Sequence, residues 1–178
     1  LYAFRRYFSE VIHVQCDISK EEEVKKLLLF TLNRFGGIDG IFHAAGTLKD
    51  SLLYNKELEH AYQVFLPKVN GLIHIHENLN ALGLYDQLDF LVNFSSISAV
   101  LGNIGQSDYS CANAFMDSYT SYIRSIVFNG KTQVISLNWP YWKTGGMQVS
   151  DEIEKTMHEK WGVSALATKN GIQALETI

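Results

Sequence analysis

The stretch Leu88-Asp-Phe-Leu-Val-Asn-Phe94 constrains the fold more than any other part of this chain. It is apolar at nearly every position and runs straight into Ser95-Ser96. A strand with one wet face alternates apolar and polar residues. A strand that is apolar throughout belongs in a parallel sheet covered on both faces. The neighbouring segments keep to that scheme. Val11-Ile-His-Val-Gln-Cys16, Gly40-Ile-Phe-His-Ala44 and Thr132-Gln-Val-Ile-Ser-Leu-Asn138 read as further strands. Helical periodicity lies between them. One helix runs toward Arg34 with Val24, Leu27, Leu28 and Thr31 on one face, a second covers Leu58 to Asn80, and a third Tyr109 to Phe128. For the first, Asp17-Ile-Ser19 supplies an N-cap, Glu21, Glu22 and Glu23 fill the first turn, and Gly36-Gly37 ends it. Strands and helices alternate, so the expectation is an α/β fold: a doubly wound parallel sheet with helices on both faces.

Composition narrows the function classes. The chain has 178 residues, enough for one domain, and is 47% hydrophobic and 19% charged, as a globular core requires. A net charge of -4 argues against a nucleic-acid partner. No apolar run reaches membrane-spanning length. The two cysteines, Cys16 and Cys111, are too few for a disulfide framework or a metal cluster, and point to a reduced, cytoplasmic setting. His74 and His76 do not share a helix face, which argues against a metal pair, and His43 in an apolar strand reads as a buried structural residue. The chain begins at Leu1 without a signal pattern and stops inside the amphipathic segment Asn170 to Ile178. The expectation is a piece of a larger protein, truncated at both ends. No G-x-G-x-x-G turn occurs, the element that holds a pyrophosphate at a helix N-terminus in dinucleotide-binding sheets.

The chemistry concentrates between Phe94 and Asn113. A buried strand ends at Ser95-Ser96, a glycine-containing loop follows, and Tyr109 opens a helix. Both Ser96 and Tyr109 can therefore face one crevice at the carboxyl ends of the strands, where open α/β sheets bind ligands. Tyr109 and Asn113 are four residues apart, on one helix face. Ketone reduction needs such a set. Hydride attack leaves an alkoxide that requires a proton donor in reach. A phenol serves if a nearby cation lowers its pKa, and an adjacent hydroxyl can orient the carbonyl.

Ser96 and Tyr109 resemble the pair of the short-chain dehydrogenase/reductase family. Most of that family carries Lys four residues after Tyr. This chain has Asn113 there and a lysine earlier, in Leu66-Pro-Lys68-Val-Asn-Gly71. The exchange resembles ketoreductase domains of polyketide and fatty acid synthases. Phe42-His-Ala-Ala-Gly46 and Asn138-Trp-Pro-Tyr-Trp-Lys-Thr-Gly-Gly-Met147 match the same domains, and the Trp-Pro-Tyr-Trp form is most similar to synthases whose acyltransferase is a separate protein. The resemblance runs from about Val11 to the end.

It implies a Rossmann-like sheet and an NADPH-dependent reduction of a β-ketoacyl thioester to the β-hydroxyacyl thioester during polyketide chain extension. The chain reduced would ride on the phosphopantetheine of an acyl carrier protein, beside other domains of the same synthase. Tyr109 is then the acid and Ser96 holds the ketone oxygen. Lys68 lowers the phenol pKa and replenishes its proton, and Asn113 completes the relay. Ala44, Ala45 and Gly46 let the backbone approach the cofactor, and Asp17 lies where the family contacts adenine. Asp50, Leu101, Trp142 and Met147 fall at the substrate mouth. Thr47-Leu-Lys-Asp50 resembles the B-type loop with Lys49 in place of its middle Asp, and Leu101 stands where the opposite class has Trp. That implies a D-alcohol product, although Ile104 and Asp108 replace the Pro and Asn of many B-type domains. Residues 1–178 would form a partial catalytic domain without the Gly-rich strand-turn-helix, inactive alone.

Each residue also has a plainer reading. Ser96 suits a strand-end turn, Tyr109 an amphipathic core position, Lys68 a solvated helix face, and Asp17 and Asp50 helix caps. Trp139 and Trp142 suit core packing. Two other functions stay in view. One is a non-catalytic, reductase-like structural module, which would lose the Tyr and Ser. The other is a free-standing reductase of a small ketone, which would show Lys at position 113.

Overall fold

The computed structural model describes residues 10–127, 131–144 and 151–177. Its sheet has three parallel strands in the order β1 (Gly40–His43), β2 (Phe90–Ser96), β3 (Gln133–Trp139). The register sets Phe42 beside Val92 and Ser96 beside Trp139. Three helical connections precede or join these strands: α1 (Glu21–Phe35), α2 (Leu58–Phe65) continuing into α3 (Gly71–Ala81), and α5 (Ser107–Ile126). A short α4 (Ser98–Leu101) follows β2, and α6 (Asp151–Trp161) and α7 (Thr168–Leu175) follow β3.

The core lies on one face of the sheet. Val24 and Leu28 of α1, Leu72, Ile75 and Leu79 of α3, and Met116 and Ile123 of α5 pack over Leu91 of β2 and Val134 of β3. Burying such side chains contributes about 1.5–3 kcal/mol each. On the same face Asn93 Nδ2 donates to Thr120 Oγ1 at 2.9 Å, and Ser95 Oγ donates to the Asn113 carbonyl at 3.3 Å. The opposite face is covered or partly covered along β2, where Val92 is buried and Phe90 and Phe94 are half-buried, as its apolar run led us to expect, and is open at β1. There Phe42 is 55% exposed and packs on Phe90 and Phe94, and Phe94 meets Trp139. Trp142, against Trp139 and Gly171 of α7, closes one corner.

Three local expectations are corrected. Residues Val11–Cys16 form no strand: no described segment pairs with them, and a β-branched pattern makes a strand only with a partner. Asp17 and Ser19 do not cap α1, whose N-cap is Lys20. The Asp17 carboxylate instead accepts from the Ser19 amide and hydroxyl, while Glu23 accepts the Asp17 N–H at 2.7 Å. The acidic residues therefore brace the loop before the helix. The helix over 58–80 is continuous but changes winding: Leu66–Asn70 is a π turn. Pro67 within it has no N–H to give, and the Gly71 N–H reaches back to the Leu66 carbonyl across the wider turn. The end of α1 is as expected, with Gly36 left-handed at φ 83°. Among the described residues no helix is long and apolar enough to cross a membrane.

Candidate active site

The carboxyl ends of β1 and β2, the π turn and the first turns of α5 bring four side chains together: Ser96, Tyr109, Lys68 and Asn113. The π turn aims Lys68 inward, where it is 4% exposed. Its Nζ donates to the Phe94 carbonyl at 3.0 Å, approaches Met116 Sδ at 3.7 Å, and lies 5.4 Å from the centroid of the Tyr109 ring. Burial pushes the Lys68 pKa from 10.5 down to about 8, against the opposing pull of the Asp117 charge. Beside it His43 is buried, and burial together with the Lys68 charge lowers its pKa from 6.5 to about 4. This histidine is therefore neutral near pH 7.

Tyr109 is 7% exposed. Burial raises its phenol pKa, hydrogen bonding from the Asn113 and Ser96 side chains lowers it, and the Asp50 charge raises it. The pull on the phenol thus comes from Asn113 and Ser96, while Lys68 sits over the ring. Ser96 Oγ accepts from the Ser98 amide at 3.2 Å and from Ser98 Oγ at 3.0 Å, which leaves its own proton to donate. Asn113 is fully buried, and its Nδ2 donates to the Tyr109 carbonyl at 2.8 Å. Among the described residues its Oδ1 is buried and meets no hydrogen-bond donor, a situation that costs about 1–3 kcal/mol.

The other sequence-predicted residues are distributed around this centre. The turn Ala44-Ala45-Gly46 runs close to Lys68: a Cβ at Gly46 would stand 3.0 Å from Lys68 Cε. Asp17 is half-exposed, bonded to Ser19 and 3.4 Å from Lys20. Asp50 does not cap a helix; its Oδ2 accepts from Gln106 Nε2 at 2.8 Å. Leu101 ends α4 with 73% exposure. Trp142 packs on Trp139 and Gly171. Met147 lies outside the described residues.

Sequence reasoning passed over Ser98 and Asp117. Asp117 accepts from Ser136 Oγ and from Asn138 Nδ2, and Asn138 Nδ2 also reaches the Ser96 carbonyl at 3.1 Å. It ties α5 to the ends of β2 and β3. Its signal was present, since Tyr109, Asn113 and Asp117 continue one four-residue stripe. Chemically, the assembly offers a phenolic proton, a hydroxyl donor beside it and a buried ammonium behind it. Such a set can orient a carbonyl and quench an oxyanion.

Comparison with known proteins gives a consistent neighbourhood. The family described as KR domain matches residues 2–144. Polyketide synthase PksN of Bacillus subtilis (strain 168) is 40% identical over 169 residues, covering 94% of this chain and 3% of that protein. A solved ketoreductase domain from the bacillaene assembly line is 41% identical, with a TM-score of 0.85, over 93% of this chain and 39% of that one. An N-terminal ketoreductase from the macrolactin assembly line is 37% identical, with a TM-score of 0.78, over 93% of this chain and 31% of that one. The chain thus spans a small part of the length of the synthase it matches.

Proposed function

The chain belongs to the KR domain family, and from that premise we propose that it carries the proton-delivering centre of an NADPH-dependent β-ketoacyl reductase. The substrate is a β-ketoacyl thioester on an acyl carrier protein, reduced to the β-hydroxyacyl thioester during polyketide extension, within a synthase whose acyltransferase is a separate protein. The observation that supports this most is the convergence of Ser96, Tyr109, Lys68 and Asn113 on one buried point.

The residues fit a nicotinamide cofactor. Gly46 keeps the Ala44-Ala45-Gly46 turn close to Lys68 without a side chain in the way. Lys68 gives one proton to Phe94 and one toward Met116, which leaves a third for a ligand hydroxyl. Asp17 keeps a half-exposed carboxylate for an adenine. When bound, NADPH supplies the hydride. Ser96 turns its one hydroxyl proton from the phenol to the ketone oxygen, and Tyr109 gives its phenolic proton to that oxygen as charge develops. Lys68 stands behind the phenol as the source that restores the proton, and Asn113 Oδ1 offers the relay an acceptor. Residues 1–178, without a Gly-rich pyrophosphate turn, do not turn over alone on this reading.

The test is the intact parent synthase domain mixed with NADPH and a β-ketoacyl thioester. NADPH oxidation that requires the thioester is expected. No oxidation would point to a structural module, and equal turnover of small free ketones to a free-standing reductase.

A further inference from the structure

A second buried lysine stands beside the tyrosine. Lys56 Nζ lies 2.8 Å from Asp108 Oδ2, and the two side chains are 6% and 3% exposed. Lys56 also donates to the Lys49 carbonyl at 3.0 Å. The other oxygen of the same carboxylate, Asp108 Oδ1, accepts the backbone N–H of Tyr109 at 2.9 Å. One carboxylate therefore joins the loop after β1 to the first turn of α5, across 52 residues of sequence. Two more bonds repeat the join. Gln106 Nε2 donates to Asp50 Oδ2 at 2.8 Å, and the Ser51 amide donates to the Gly105 carbonyl at 2.9 Å. Asn103 Nδ2 in turn holds Gln106 Oε1 at 2.8 Å.

Adhesion alone does not call for this chemistry. A buried ion pair gives up the hydration of two charges, and well-packed apolar residues commonly stabilise a fold as well or better. Direction is what the pair adds. Tyr109 is the third residue of α5, where backbone N–H groups lack intrahelical acceptors and helices fray. Asp108 satisfies that N–H, and Lys56 fixes Asp108.

We propose that Lys56 is a positioning residue: through Asp108 it fixes the first turn of α5 and the phenol of Tyr109, and it clasps residues 49–56 against 103–108 so that the β-ketoacyl chain reaches the phenol from one side. The inference rests on the reductase reading above. Removing the ammonium leaves Asp108 as a buried, uncompensated charge that turns toward water. The Tyr109 turn then loosens and the two loops part.

The experiment uses the intact synthase domain with NADPH and a β-ketoacyl thioester, and reads kcat, NADPH affinity and the ratio of hydroxyl epimers. For Lys56→Met, kcat falls about tenfold or more, as expected for a reacting group displaced by a fraction of an ångström. NADPH affinity stays within about twofold, because the bonds of the clasp join Lys56 to Asp108 and Lys49, Gln106 to Asp50 and Ser51 to Gly105, and none is made by residues 44–46, and the minor epimer rises. Since that variant leaves a buried charge and can fail to fold, Lys56→Met with Asp108→Leu is made alongside it, removing both charges at once. If the pair merely stabilises, the double variant regains wild-type kcat and epimer ratio, and the proposal is overturned. If the pair positions, the double variant binds NADPH yet keeps the low kcat and mixed product. A wild-type domain that does not oxidise NADPH with the thioester defeats the reductase reading itself, and the clasp with it.

Discussion

Two lysines flank Tyr109, and the regions around them are built on opposite principles. On the floor of the crevice Lys68 gives its bonds to a main-chain carbonyl and a thioether sulfur, and burial brings its pKa down to about 8. On the rim Lys56 is bonded to a carboxylate and a carbonyl. The floor rests on β2, the π turn and α5, whose backbones are fixed by their own hydrogen bonds. The rim is loop apart from one short 3-10 turn at Leu53–Asn55, with Leu53, Tyr54 and Ile104 each more than 75% exposed. Lys68 is the more deeply buried of the two, and their bonded partners differ as well: an ammonium held by a carbonyl and a thioether is poised to pass a proton, and one clamped to a carboxylate is placed to hold a chain segment.

Breaking the floor should have the larger effect. Tyr109→Phe removes the proposed acid and keeps the ring, so turnover of the intact domain should fall about a hundredfold or more with NADPH binding nearly unchanged. Steady-state kinetics alongside a cofactor titration checks this, and near-wild-type turnover would end the distinction between floor and rim. Lys68→Met comes next, with a loss of about tenfold or more. It also carries a pH signature. Burial lowers Lys68, so its charged form is lost above about pH 8 rather than near 10.5. The phenol of Tyr109 is raised by burial and keeps its proton through that range. Reduction should therefore be flat below about pH 8 and decline above it, and Lys68→Met should abolish that limb while Lys56→Met leaves it in place. A limb that follows Lys56 instead would reverse the two assignments.

The same contrast explains what the sequence disclosed. Ser96, Tyr109 and Asn113 were legible because strand ends and four-residue helix spacing translate directly into position. Lys68 was legible through its Leu-Pro-Lys-Val-Asn-Gly motif, yet not the π turn that aims it, since apolar periodicity does not record winding. Residues 11–16 have the residue types of a strand, but a ladder depends on a partner elsewhere. Asp17 looked like a cap because Asp before a helix commonly is one, and the cap fell three residues later at Lys20. The apolar run of β2 suggested cover on both faces, while its core-facing side carries Asn93 and Ser95 bonded to α5 and its other side carries the aromatic row. The Lys56–Asp108 pair has no local signal at all. Asp108 looks like an ordinary acidic residue in a first helical turn, and only the folded chain brings Lys56 to it.

The smallest expected effect belongs to the mouth. On the proposed reading hydride arrives from one fixed face, so the hand of the product should depend on which side the tethered chain approaches, with bulk at the rim deciding that. Asp50 is held by Gln106, and Leu101 stands 73% exposed at the end of α4. The expected major product is the D-hydroxyacyl thioester. Discrimination by a single apolar contact is worth about tenfold to two hundredfold, and a contact at an exposed rim falls at the low end, so Leu101→Trp should shift the epimer ratio by about tenfold, with kcat within about threefold. Chiral chromatography of the product from the intact domain reads both claims. A mainly L product from the wild type would remove the stereochemical claim and leave the floor untouched. A Leu101→Trp domain that loses turnover as severely as Tyr109→Phe would mean that the rim is part of the reacting centre, because a residue that only steers entry can change which face is reduced without changing how fast the proton arrives.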